Sequence, residues 1–290
     1  MPAETPPVTS PWPHLVRRGA GAPLLFLHGN GVDHRLLLEL DDTFAAGGWE
    51  RIHLDLPGFG STPRLEAPGG LPELADWLDD AVTALVGTAP FAVVGSSLGG
   101  LLARDLAARR SDQVLGLALL APVVDPVTAH RTLPAPVVLV ADAAMLDTLD
   151  AADRRPYAES AVIQTQDNWQ RFRRAALPGI RAADLRAMAR LGQRYALAEA
   201  PDGRLSGYER PVLIIAGKQD AVVGFEDQRD LASLFPHSSF ALLDGAGHNL
   251  HLDQPDLVRA LLVEWAARVR QAPHGDGRPD TVRRDDRPMP

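Results

Sequence analysis

Cysteine is absent from the chain. No disulfide, thiolate nucleophile or cysteine-ligated metal is therefore available, and the absence by itself says nothing about compartment. Lysine is almost as scarce: Lys218 is the only one, so Schiff-base chemistry has a single candidate and arginine supplies the rest of the positive charge. With a formal net charge of −8 and no basic patch in the globular part, nucleic acid is not expected as a partner. No run approaches the roughly eighteen apolar residues of a membrane span. The opening stretch MPAETPPVTSPWPH lacks a basic region followed by an apolar one, so no signal peptide is expected. The chain reads as cytoplasmic, with no membrane contact.

What is present suits a globular enzyme-sized domain. Hydrophobic residues make up 46% and charged residues 23% of the chain, enough apolar content for a full core. A length of 290 residues fits one large α/β domain or one domain carrying an insertion. Short apolar runs at residues 24–28, 51–56, 91–94, 114–121, 212–215 and 240–243 alternate with helical spacing or end in glycine clusters. That alternation predicts a doubly wound, mostly parallel sheet. The rhythm fails between about 123 and 210, where Ala, Arg, Asp and Gln dominate at helical spacing. The predicted organisation is a flexible start over 1–14, a core formed by 15–122 and 210–270, a mainly helical cap over 123–209, and a disordered tail over 271–290. One apolar run inside the cap, at 136–140, imitates a core strand and leaves the start of the cap open.

The most informative segment is Phe91-Ala92-Val93-Val94-Gly95-Ser96-Ser97-Leu98-Gly99-Gly100. An apolar strand breaks into G-x-S-x-G and then into a helical pattern, the form of a nucleophile elbow with Ser97 at its apex. Glycines flank the serine where a Cβ would collide with the adjacent strand or helix. A serine nucleophile needs a base, and the base needs a carboxylate to hold its tautomer. The strand at 212–215 ends in Gly217-Lys218-Gln219-Asp220, and the next ends in Asp244-Gly245-Ala246-Gly247-His248. Ser97, Asp220 and His248 therefore emerge from one edge of the sheet and are the candidate catalytic set. Asp125 and Asp142, each following a strand-like run, remain alternative acids. For the oxyanion hole, one donor is the amide of Leu98, after the nucleophile, and the other is the amide of Asn30 in His28-Gly29-Asn30-Gly31, with Gly31 second. His28 and Asp55 read as residues that brace loops.

These motifs, with Asp55-x-Pro57-Gly58-x-Gly60-Ser61, resemble those of the α/β-hydrolase fold superfamily over roughly residues 15–270. The resemblance implies an eight-stranded, mostly parallel sheet, a helical cap after the sixth strand, and hydrolysis without a cofactor or metal. In overall look the chain is similar to small-molecule esterases and to hydrolases that cleave carbon–carbon bonds in ring-fission products. The latter typically place Trp after the catalytic His, where this chain has Asn249 and Leu250. Haloalkane dehalogenases and epoxide hydrolases carry Asp at the elbow, where this chain has Ser97. The expected activity is cleavage of a small carboxylic ester by a monomer or homodimer. Carbon–carbon cleavage of a vinylogous diketone and a non-catalytic small-molecule receptor are the alternatives.

Rival motifs fall short. A dinucleotide fingerprint after residue 28 would need a third glycine where His34 stands, and no lysine follows Gly99-Gly100 as a phosphate loop requires. His248, His251 and Asp253 lack a third convincing ligand once His248 is the base. In the cap, Trp169 and Phe172 are the candidates to line a substrate pocket, and Arg171, Arg173, Arg174 and Arg194 read as a solvated helical face.

Overall fold

The computed structural model describes residues 13–272; the flexible start and disordered tail expected from the sequence lie almost wholly outside them. Nine strands form among the described residues: β1 Leu15–Arg18, β2 Ala22–Leu27, β3 Trp49–Leu54, β4 Phe91–Ser96, β5 Val114–Leu120, β6 Val140–Ala141, β7 Ile163–Gln164, β8 Val212–Gly217 and β9 Ser238–Leu243. Seven of them make one sheet in the order β1-β3-β2-β4-β5-β8-β9. Only β1 runs antiparallel, against β3; the other pairings are parallel. Every residue of β4 and β5 is buried, which is why both read as unbroken apolar runs rather than alternating ones.

The sheet among the described residues has seven strands, not eight, and the helical excursion follows its fifth strand rather than its sixth. The strand-like run at 136–140 does not supply the missing one. Pro134 and Pro136 have no amide to give to a central ladder, and only Val140–Ala141 pairs, with Ile163–Gln164, in a separate two-stranded ribbon. Val137, Val138, Leu139 and Val140 stay exposed.

Order and direction of the strands already locate a crevice. From β2 the chain steps to β3 on one side, whereas β4 lies on the other side of β2. In an open parallel sheet the carboxyl ends of strands at such a reversal leave a cleft between their loops. The loop after β2 carries His28–Gly31 and the loop after β4 carries Ser97.

Between β5 and β8 the chain is mainly helical, with Ala151–Ser160, Gln166–Ala175 and Leu185–Gln193 as its longer helices. Asp184 caps the last of these by accepting the amides of Arg186 and Ala187. Tyr157, Trp169 and Phe172 build a small core of their own that closes against Leu36 and Leu252 of the sheet domain. Both ends of the excursion are pinned to the helix Leu98–Arg109. The buried guanidinium of Arg104 donates to the Val123 carbonyl at 2.7 Å and the Val124 carbonyl at 3.2 Å. It also pairs with Asp202, while its neighbour Asp105 pairs with Arg204.

Candidate active site

Ser97 sits between β4 and the helix Leu98–Arg109 with φ 53°, a left-handed value rare for a residue with a side chain. Its neighbours make the turn possible. A Cβ on Gly95 would lie 2.4 Å from the Gly99 carbonyl oxygen, and one on Gly99 would lie 2.0 Å from the Leu27 carbonyl oxygen. Only glycine lets strand and helix approach this closely.

His248 follows β9 on a loop, and its Nε2 lies 2.9 Å from Ser97 Oγ. On the other side its Nδ1 lies 2.9 Å from Asp220 Oδ2. Asp220 is fully buried, and its second oxygen accepts the amides of Val222 at 2.8 Å and Val223 at 3.1 Å. The ionised carboxylate only accepts, so the proton shared with His248 belongs to Nδ1. Nε2 then presents a lone pair to the Ser97 hydroxyl. The other two carboxylates are occupied elsewhere: Asp125 holds His130 and the Val127 amide, and Asp142 caps Met145.

The loop after β2 lies against the serine, since a Cβ on Gly29 would be 3.1 Å from Ser97 Cβ. Leu98 is the first residue of its helix, so its amide has no acceptor within the helix. Asn30 occupies the exposed turn of the facing loop. His28 holds that loop in place: Nδ1 donates to the Gly29 carbonyl at 2.7 Å, and Nε2 accepts the Leu56 amide at 3.0 Å. Burial pushes the His28 pKa down, which keeps the ring neutral and this tautomer fixed. Asp55 is the hub of the adjoining loop, accepting His34 and His14 side chains and the amides of His34 and Ser61.

Of the three residues weighed as a metal set, only His248 faces Ser97. Asp253 accepts the Gly247 amide and Asn168 Nδ2. His251 Nε2 turns to the Leu36 carbonyl at 3.2 Å, and burial pushes its pKa down to about 4.

Trp169 and Phe172 do not border the cavity that touches His248. Their rings pack on each other at 6.1 Å and on Tyr157 at 5.1 and 5.2 Å, so Phe172 is cap core. Trp169 edges a separate hollow of about 680 Å³ that borders none of Ser97, Asp220 and His248. The helix 166–175 spends its apolar stripe on internal packing, an outcome that helical spacing does not distinguish from a pocket wall. The cavity at His248, about 160 Å³, borders His248 but not Ser97; its apolar walls include Val137, Val138, Val162, Ala221 and Val222, and Glu159, Ser160 and Gln219 are its polar contributors. The sequence singled out none of these five apolar residues for such a role. For Val137 and Val138 the one signal is the apolar run 136–140, which opens on proline; Val162, Ala221 and Val222 have none. Among the described residues, no helix is long and apolar enough to cross a membrane.

The family model described as serine aminopeptidase, S33, matches residues 20–255. Pimeloyl-[acyl-carrier protein] methyl ester esterase of Chromobacterium violaceum is 31% identical over 256 residues, 84% of this chain and 94% of the relative. (E)-2-((N-methylformamido)methylene)succinate hydrolase of Acinetobacter baylyi is 25% identical over 256 residues, 87% of this chain and 93% of the relative. The crystal structure of an alpha/beta superfamily hydrolase from Oenococcus oeni superposes with a TM-score of 0.80 at 25% identity, covering 88% of this chain and 96% of that one. The chain belongs to the serine aminopeptidase S33 family and is an α/β-hydrolase.

Proposed function

We propose that the protein is a serine hydrolase that cleaves a small carboxylic ester through an acyl-enzyme. The observation that carries this reading is the continuous chain from Ser97 Oγ through His248 to buried Asp220, with 2.9 Å at each step. In the first half-reaction Ser97 Oγ bonds to the ester carbonyl carbon while its proton passes to His248 Nε2. The carbon–oxygen bond to the alcohol then breaks, and the imidazolium returns the proton to the departing oxygen. Water repeats the sequence on the acyl-enzyme, releasing the acid and restoring Ser97. The amides of Leu98 and Asn30 hold the oxyanion, each donor worth about 2.7–4 kcal/mol where one has been removed elsewhere. Asp220 keeps the ring in the Nδ1–H form and stabilises its charged state. No cofactor or metal enters these steps.

An ester is favoured over other carbonyl substrates by the methyl ester esterases among the relatives, and an apolar group on that ester by the valines beside His248. The 160 Å³ cavity suits a short aliphatic group rather than a polymer. Hydrolysis of a p-nitrophenyl ester series from acetate to decanoate, with Ser97→Ala as control, tests the reading. Turnover that survives Ser97→Ala overturns it. A wild-type protein that neither turns over the series nor reacts with a fluorophosphonate at Ser97 points instead to a non-catalytic receptor.

A further inference from the structure

Asp253 lies five residues beyond His248, is 8% exposed, and has no part in the acyl-transfer steps above. Its two carboxylate oxygens go to different parts of the molecule. Oδ2 accepts the amide of Gly247, the residue before the base, at 2.9 Å. Oδ1 accepts Asn168 Nδ2 at 2.8 Å, and Asn168, 1% exposed, belongs to the cap helix Gln166–Ala175. A second contact reinforces the join: Asn168 Nδ2 and Arg171 Nε both donate to the Leu252 carbonyl, at 3.2 and 2.8 Å. From the other side, Val162 of the cap closes on the same loop, since a Cβ on Gly247 would lie 3.0 Å from Val162 Cγ1. The backbone that aims the base thus runs between two cap contacts.

Resting on the reading of Ser97 and His248 as nucleophile and base, we infer that Asp253 is a positioning residue whose carboxylate ties the Ala246–Gly247 peptide, just before His248, to the cap helix, so that cap placement and the aim of the imidazole change together. The carboxylate form is the one that serves both donors. Protonation turns one oxygen into a donor that faces another donor. The charged groups facing Asp253 are Asp220, which opposes its ionisation, and Arg171, which favours it; the phenol of Tyr157 also lies within its field. Burial dominates and pushes the carboxyl up to about 6. The strut is therefore intact above that pH and fails below it, adding a second ionisation to the acid limb that any histidine base produces.

The test is the rate at which a fluorophosphonate labels Ser97 across pH 4.5–8.5, with ester turnover beside it. Asp253→Asn is isosteric but sets an amide nitrogen against one of the two donors. Labelling and kcat are expected to fall about tenfold, set against the hundredfold that a 1 Å misplacement can cost, while KM stays within about twofold. The wild-type acid limb is expected to be steeper than one ionisation, and the variant's to fit one. Adding Asn168→Asp to Asp253→Asn sets an acceptor opposite the new amide nitrogen but gives up the bond from Asn168 to the Leu252 carbonyl, so only a partial regain, about threefold of the lost rate, is expected, a coupling within the range for residues in contact. Wild-type protein that is not labelled at all overturns the reading of the site. Labelled wild type, with Asp253→Asn labelled at the same rate along the same acid limb, overturns the positioning role alone. If Asp253→Asn does not fold, Asn168→Ala severs only the cap end; slower labelling supports the strut and unchanged labelling overturns it.

Discussion

Gly99 and Leu27 approach so closely that the carbonyl oxygen of the leucine occupies the place of a glycine Cβ, 2.0 Å from where one would be built. That contact brings the end of β2 against the start of the elbow helix and sets the loop of Asn30 opposite Ser97. Gly99→Ala must push the two apart. The obstacle is backbone rather than a flexible side chain, so the variant is expected to lose several degrees of melting temperature and most of its esterase activity together. Ser97 shows the opposite balance. Held at φ 53°, it stores strain of about 1–3 kcal/mol that glycine relieves. Ser97→Gly is expected to melt above Ser97→Ala, with turnover near background in both. A Ser97→Gly protein that melts below Ser97→Ala would refute the strained elbow.

Asp220→Asn separates holding the ring from merely filling space. The amides of Val222 and Val223 require an oxygen at Oδ1, so the new side chain must turn its NH₂ toward His248 Nδ1. The ring then takes its proton on Nε2 and offers Ser97 a donor instead of a lone pair. Esterase kcat is expected to drop by about 10⁴, as for the wrong tautomer in a serine protease, with the melting temperature nearly unchanged. A loss below tenfold would mean that Asp220 does not orient the base.

Much of this arrangement was legible because it lies at strand ends. A buried parallel strand reads as an apolar run, and the glycines after it mark where backbone comes close. The order Ser97, Asp220, His248 along the chain therefore already places the three on one edge of the sheet. Other parts had no such signal. Trp169 and Phe172 give the same helical stripe whether they face a cavity or each other. Val137 and Val138 stand in a run that resembles a core strand, and only the missing amides of Pro134 and Pro136 hint that it leaves the sheet. Asp253 and Asn168 are 85 positions apart, and no local pattern joins them. Arg104 is wholly buried under both ends of the cap, and no sequence pattern marks it.

Asp55 predicts how the protein responds to acid. Burial opposes its ionisation, but hydrogen bonds from the His34 side chain and from the amides of His34 and Ser61 hold its carboxyl below the ordinary carboxylate range. A depressed native pKa gives stability that is complete above the unfolded value near 4 and is lost as pH falls through the native one. Asp55→Asn removes that contribution. The melting temperature is expected to fall most at pH 7, and the difference from wild type to shrink as pH drops below about 4. A difference that stays constant from pH 7 to pH 3 would show that Asp55 acts through packing alone.

The walls beside His248 make a prediction about chain length. Val138 is 45% exposed at the edge of the cavity, so a larger side chain there finds room without straining the core. Val138→Phe is expected to reduce the space and to leave Ser97, His248 and Asp220 untouched. Acetate turnover should then remain within about twofold of wild type, while hexanoate and longer esters lose about tenfold in kcat/KM, the scale of one or two methylenes denied an apolar site. The loss should fall on KM, because the substitution removes binding that ground state and transition state share. A uniform drop across the whole ester series would place the acyl group elsewhere, and an increase for long esters would mean that they gain by packing against the new ring.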